Sequence, residues 1–252
     1  MINQKIPFSR EPVLAALPFE LGAVSESDRT RAVNCLADAI YYEAALEPTE
    51  GQRAVAQVVL NRVRHPAFPK SICGVVFQGA PHPGCQFTFA CDGSLSRPPV
   101  AWAWARARAV ALEALSGHVE PEVGEATHYH AQYVAPGWGG ELSKITQLGA
   151  HIFYRWNGAW GLPGAFNGRY LAHEPQIDLR ELAAATTLAP AAPVAPVLAQ
   201  NQPPEEPRAP DDVGGRVELG HGWTPNVPTP PSDALTRILA SQGGGESKPP
   251  GG

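Results

Sequence analysis

Val33, Leu36, Ile40 and Glu43 recur at steps of three, four and three residues, the spacing of one helical face. The pattern begins near Asp28 and Pro48 closes it, which predicts a first helix. Thr49–Arg64 predicts a second, with Val55, Val58, Val59 and Val63 turned inward and His65-Pro66 as its stop. Ala67–Arg97 then loses any long period. It is dense in Pro, Gly and Cys, and carries two short β-like pieces, Ile72–Phe77 and Gln86–Phe89. A loop region of that length inside a compact domain is more often functional than idle. Pro98–Leu115, rich in Ala and Trp, predicts a third helix with Gly117 as its C-cap. Ala126–Val134 alternates as a strand does: Thr127, Tyr129, Ala131 and Tyr133 point one way, His128, His130 and Gln132 the other. Beyond the Pro136–Gly140 turn, Gly149–Trp156 predicts a second strand, paired with the first as an antiparallel hairpin. Helices, a long loop region, a further helix and a small sheet in that order predict the α+β class.

The two ends read differently. Pro7, Pro12 and Pro18 break residues 1–27 into an irregular lead-in. Ala183–Pro210 is Ala/Pro-rich and predicts an extended, solvated chain. Further on, Ser232 is placed to cap a short helix over Asp233–Ala240. The expected organisation is therefore a lead-in over 1–27, a working domain over 28–175 and a tail over 176–252. The tail reads as a linker, with a docking peptide for a partner as the alternative.

Composition sharpens this. The 25 glycines and 27 prolines are about a fifth of the 252 residues, against a usual ~12%. Thirteen of those prolines follow Thr186, and 44% of the chain is hydrophobic, so the excess is local and a core is expected. No Gly-X-Y period indicates collagen, and no run of ~18 apolar residues indicates a membrane span. The net charge of −5 belongs to the ends, because Arg31–Arg169 holds 11 basic and 10 acidic side chains. No clustered positive face points to nucleic acid as a partner. The segment Met1–Gly22 has no apolar run of ~7–15 residues behind a basic end, so export by another route, or a start inside a longer precursor, is expected.

Cys35, Cys73, Cys85 and Cys91 fall within 57 residues, with no CxxC pair that would suggest a zinc ribbon. Their even number permits two disulfides in an oxidising compartment, with three pairings open; buried free thiols in a reducing one are the alternative.

Glu43 carries the candidate chemistry. It shares an apolar face and lies near the carbonyl end of its helix, where burial and the helix dipole both penalise a negative charge. A carboxylic acid kept protonated near neutral pH is what a general acid for glycosidic-bond cleavage requires. Tyr41 and Tyr42 beside it offer hydroxyls and flat faces for sugar.

Several blocks then resemble one family. Leu36–Ala44, with its Tyr41-Tyr42-Glu43-Ala44 ending, is followed by Glu50–Val63 and Phe68–Gln78. Cys85-Gln86-Phe87, Ala126–Ala131, Val134–Trp138 and Gly149–Tyr154 continue in the same order. Together they resemble the cell-wall hydrolases of the spore cortex-lytic (SleB/CwlJ-type) family over roughly Arg31–Trp156. The resemblance implies a lysozyme- or lytic-transglycosylase-related helical core, cleavage of peptidoglycan glycan strands, and a single catalytic glutamate at Glu43. It implies no cofactor or metal, and the substrate implies a place in the cell envelope. One departure stands out: the family continues Glu-Ala with Arg-Gly-Glu, and here Ala44 is followed by Ala45-Leu46-Glu47.

Tyr42, Gln86, Phe87, His128, Tyr129, His130 and Trp138 are the expected substrate-binding residues. His151 and Asn61 are expected to be structural. Asp38 falls on another side of its helix and Glu47 past its end, so no partner carboxylate for Glu43 is evident. That favours a lytic transglycosylase, in which one glutamate serves as acid and then base, over simple hydrolysis by a muramidase. Two further classes remain open: a zinc amidase or peptidase built on His128, His130 and His151, and a non-catalytic wall-binding module.

Overall fold

A computed structural model describes residues 6–82 and 84–188. The reading of Ser232 and Asp233–Ala240 lies outside those residues.

Helix α1 (Glu26–Ala44) is the centre of the fold. Ser25 caps it by accepting the Asp28 N–H at 3.0 Å, and Glu26 and Asp28 place negative charge in its first turn, where the dipole favours it. Small residues let it be surrounded: Ala32, Ala37 and Ala39 are as deeply buried as Leu36 and Ile40. Around it pack α2 (Thr49–Arg64), the short α3 (Ile72–Val76) and α4 (Ala101–Leu115). Val55, Val58, Val59 and Val63 of α2 are all wholly buried, as the spacing predicts. Gln52 joins the two helices, its Nε2 donating to the carbonyls of Ala44 and Ala45 at 3.0 and 3.2 Å. It thereby satisfies acceptors that the end of α1 leaves open.

Ile72–Phe77 is not β-like. Ile72–Val76 is helical, because Ser71 accepts the Gly74 N–H and the distant Glu174 accepts those of Ile72 and Cys73 at 2.9 and 2.8 Å. Gln86–Phe89 is not a strand either; Thr88–Ala90 forms a 3-10 turn. Two disulfides, Cys35–Cys73 and Cys85–Cys91, tie this region together, the first bridging α1 to α3.

The sheet has three antiparallel strands, β1 (His128–Ala131), β2 (Ser143–Leu148) and β3 (His151–Arg155), in the order β1-β3-β2. β1 and β3 do pair, with Tyr129 opposite Phe153 and His128 opposite Tyr154. They are not a hairpin, however: β2 intervenes in sequence and makes the tight turn into β3. The class is α+β as expected. Part of the Ala/Pro-rich stretch also differs from expectation, since α5 (Leu179–Leu188) is helical, with Asp178 Oδ1 accepting the N–H groups of Arg180 and Glu181. Residues 6–25 form no helix, yet Ala16, Phe19 and Leu21 are buried in the core.

Candidate active site

Glu43 sits in the last turn of α1 and is 2% exposed. Its Oε2 accepts the hydroxyl hydrogen of Tyr129 at 3.1 Å, across the interface between α1 and β1. Tyr129 is wholly buried. The edge of the His151 ring meets it at 5.2 Å and the Phe153 ring lies 5.6 Å away, so the phenol is held from two sides by β3. Burial pushes the His151 imidazole down to about 4, leaving it neutral at neutral pH.

The carboxylates nearest in sequence are engaged differently. Asp38 is buried five residues back along α1, and burial pushes its carboxyl up to about 7. Glu47, past the helix end, accepts the backbone N–H of Ala150 at 3.2 Å. It fits closely against Gly149, where a Cβ would fall 1.8 Å from Glu47 Oε2. The residues at the family's Arg-Gly positions do not strain the chain. Ala45 continues in a helical conformation, and Leu46 is exposed with an ordinary backbone angle.

On the opposite flank of α1, the half-buried Tyr42 stacks on Phe89, with centroids 4.6 Å apart and planes 16° from parallel. Burial, with the nearby Asp38 carboxyl, pushes its hydroxyl up to about 12. Phe87 is wholly enclosed, with Phe89 against it at 6.0 Å, so its ring is core rather than a face open to ligand. Gln86 is half-buried and its backbone N–H donates to Gln78.

Strand alternation separates the remaining expected residues from Glu43. Tyr129 points toward α1, whereas His128 and His130 lie on the other face of β1. There His130 Nε2 is 2.9 Å from the Tyr154 hydroxyl, and its Nδ1 is 2.9 Å from the Ala131 carbonyl. His128 contacts Trp138 at 5.5 Å and Trp156 at 5.0 Å, and burial above all pushes its imidazole down to about 3. Trp138 also meets His130 and Tyr154. His128, His130 and Trp138 are thus brought together, but as a second cluster apart from the acid. The same alternation removes the three-histidine zinc arrangement, because His151 shares the Tyr129 face. Among the described residues no group of three or more His, Cys, Asp or Glu side chains is placed to hold a metal ion.

Two concavities run beside the N-terminal segment and away from Glu43. One is lined by Pro12, Val13, Leu14, Glu125 and Arg155, the other by Phe19, Leu21, Arg64 and Tyr170.

Arg62 is the residue that sequence reasoning passed over. It is wholly buried on α2, its Nε donates to the Thr127 carbonyl at 2.7 Å, and its charge acts on Tyr129 and Glu43. The available signal was its place on the inward arc of α2, three and four residues after Val59 and Val58. Asn61 is structural as expected, donating to the carbonyls of Gly124 and Ala126, both at 2.8 Å.

Residues 46–154 match the family described as Cell Wall Hydrolase, a span that begins three residues after Glu43. The chain is 35% identical over 121 residues to the spore cortex-lytic enzyme of Halalkalibacterium halodurans, covering 48% of this chain and 34% of that protein. It is 35% identical over 147 residues to the spore cortex-lytic enzyme of Bacillus subtilis, covering 57% of this chain and 42% of that one. Among solved structures it is similar to the catalytic domain of the Bacillus cereus SleB protein, with 30% identity and a TM-score of 0.42. That alignment covers 53% of this chain and 94% of the other. The chain therefore spans well under half the length of these two curated relatives.

Proposed function

We propose, from the match of residues 46–154 to the cell wall hydrolase family, that this chain cleaves peptidoglycan glycan strands with Glu43 as the acid. The bond broken joins N-acetylmuramic acid to N-acetylglucosamine. The observation that carries the reading is a carboxyl almost wholly shielded from water at a helix C-terminus, held by a buried tyrosine.

In this mechanism Glu43 gives its proton to the bridging oxygen as the bond from that oxygen to the muramoyl C1 breaks. The muramoyl 6-hydroxyl then attacks C1, and Glu43, now a carboxylate, takes the hydroxyl proton. A 1,6-anhydro ring closes without water and the glutamic acid is regenerated. Neither Asp38 nor Glu47 supports a two-carboxylate scheme, since one points elsewhere on α1 and the other is committed to Ala150. This favours the lytic transglycosylase over the muramidase. Residues 28–175 act as the catalytic domain, with the half-buried Tyr42 and Gln86 as glycan contacts. His128 and Trp138, both half-buried, contact glycan along the far face of the sheet, whereas His130 is buried beneath them and is structural. The substrate and the two disulfides agree with an oxidising cell-envelope compartment.

The test uses purified sacculi. Glu43→Gln should lower release of soluble muropeptides by at least ~100-fold, the usual scale for loss of a general acid, while circular dichroism and melting remain as in the wild type. Full activity in that variant would place the acid elsewhere. Mass analysis of the wild-type products decides the chemistry: anhydro ends are one water lighter than reducing ends, and purely reducing ends would mean hydrolysis.

A further inference from the structure

Arg62 is a buried cation whose donors are only partly used. Its Nε bonds Thr127, but neither terminal guanidinium nitrogen has a hydrogen-bond acceptor, and the residue is wholly buried. The rings of Phe68 and Phe87 lie 5.2 and 5.4 Å from its central carbon. Burying a guanidinium costs several kcal/mol unless it is paired, so an incompletely bonded one calls for an explanation beyond packing. Rings at these distances recover part of that cost by cation–π attraction. Its attachment is informative. Thr127 leads into β1 two residues before Tyr129, whose hydroxyl bonds Glu43.

We propose that Arg62 is a positioning residue that stabilises the Glu43 carboxylate formed in mid-reaction, acting through its fixed charge and its grip on the strand that carries Tyr129. The inference rests on Glu43 being the acid. Once Glu43 has given up its proton, an anion stands in an enclosed site and must persist until it accepts the next proton. Without a nearby cation, burial would make that anion costly and the acid weak.

The other ionisable groups do not substitute for it. From β1 and β3, Tyr129 donates a hydrogen bond and His151 is neutral at neutral pH. His128, which faces Arg62, is neutral too, being pushed down to about 3. His65 is also held below the usual imidazole range, by burial first. On the Glu43 side, Tyr42 holds its proton, and Glu47 beyond the helix end is pushed up by burial and so adds no positive charge. Asp38 is an internal reference: it is buried on the same helix, and burial alone governs it.

The experiment compares Arg62→Met, Arg62→Gln and Arg62→Lys for release of muropeptides across pH, with Glu43→Gln as the control on the underlying reading. The alkaline limb of kcat/KM reports the acid, which must be protonated to work. Loss of the cation should move that limb at least one pH unit upward in the Met and Gln variants. It should also lower kcat at least tenfold with little change in KM. Lys, which retains charge, should lie closer to wild type in both. A limb that stays in place in a folded neutral variant overturns the proposal, as does a Lys variant no better than Met. Should neither neutral variant fold, carbon-13 NMR of the wild-type side-chain carboxyls decides. Glu43 should ionise at lower pH than Asp38, and the reverse order overturns the proposal. An active Glu43→Gln variant would instead mean that the assignment of the acid, rather than the role of Arg62, is wrong.

Discussion

Asp38 and Glu43 stand five residues apart on α1, both out of water, in different electrostatic company. Asp38 meets burial alone, which pushes it from its ordinary 3.8 to about 7. In the folded chain it keeps its proton up to that pH, whereas the unfolded chain loses it near 3.8. Between those values the unfolded state binds fewer protons, so this residue makes stability fall as pH rises. His128 and His151, pushed down to about 3 and 4, act oppositely. They stay neutral in the fold while the unfolded chain protonates them below about 6.5, so their contribution grows as pH rises from about 4 to 6.5. Asp38→Asn should therefore make the slope of Tm against pH more positive between pH 4.5 and 6.5, as measured by scanning calorimetry in matched buffers. An unchanged slope would mean Asp38 ionises normally. Glu43 was legible as an acid on an apolar face. Its bond to Tyr129 was not, because no local spacing relates residues 86 positions apart.

The long helices could be read from the chain because their period is local. Thr49–Arg64 begins and ends where the pattern says, between Pro48 and His65-Pro66. Short apolar runs carry no such information. Ile72–Val76 suits strand or helix equally, and Glu174, about a hundred residues away, decides for helix by accepting two N–H groups at its start. β2 escaped notice because Ser143, Lys144, Thr146 and Gln147 break its apolar alternation and a register shift falls between Lys144 and Thr146. The start of α5, by contrast, was signalled in the chain by Asp178 three residues before Glu181. The same region holds an element-scale prediction. Cys35–Cys73 closes a separation of 38 residues and Cys85–Cys91 one of 6. By loop-closure entropy, replacing the first pair with serines should cost about 4 kcal/mol and the second about 2 kcal/mol. Urea unfolding of the two double variants checks the order, and equal losses would contradict it.

Across the whole domain, the segments flanking the central fold converge on one arginine. Arg64, at the end of α2, donates to the carbonyls of Leu17 and Pro18 from the N-terminal side, while its own carbonyl accepts the Gly168 N–H at 2.7 Å. Phe19 lies beneath the Arg64 guanidinium, at 5.5 Å, and meets Tyr170 edge-on at 5.7 Å. Glu174 then ties the return segment to α3 and, through its own N–H, to Asp28 at the start of α1. The irregular residues 6–25 therefore belong to the packed structure. Phe19→Ala should destabilise it by about 3–4 kcal/mol, the usual loss for a buried phenylalanine, read as a lower urea midpoint with an unchanged slope. A change below ~0.5 kcal/mol, typical of a surface site, would mean the segment is only loosely applied.

What the chain determined by itself is whatever repeats over a few residues: the three long helices, with Thr49–Arg64 matched at both ends, the alternation of β1, an acid placed on an apolar face, and cysteines in number enough for two bridges. Tertiary structure alone chose the cysteine pairing, the third strand and the helical state of Ile72–Val76. It also chose which face of β1 meets α1, placing Tyr129 against Glu43 and leaving the His128 and His130 face away from the acid. The physical reason is range: a helix or strand period records neighbouring side chains, whereas these choices depend on groups that only folding brings within hydrogen-bond distance.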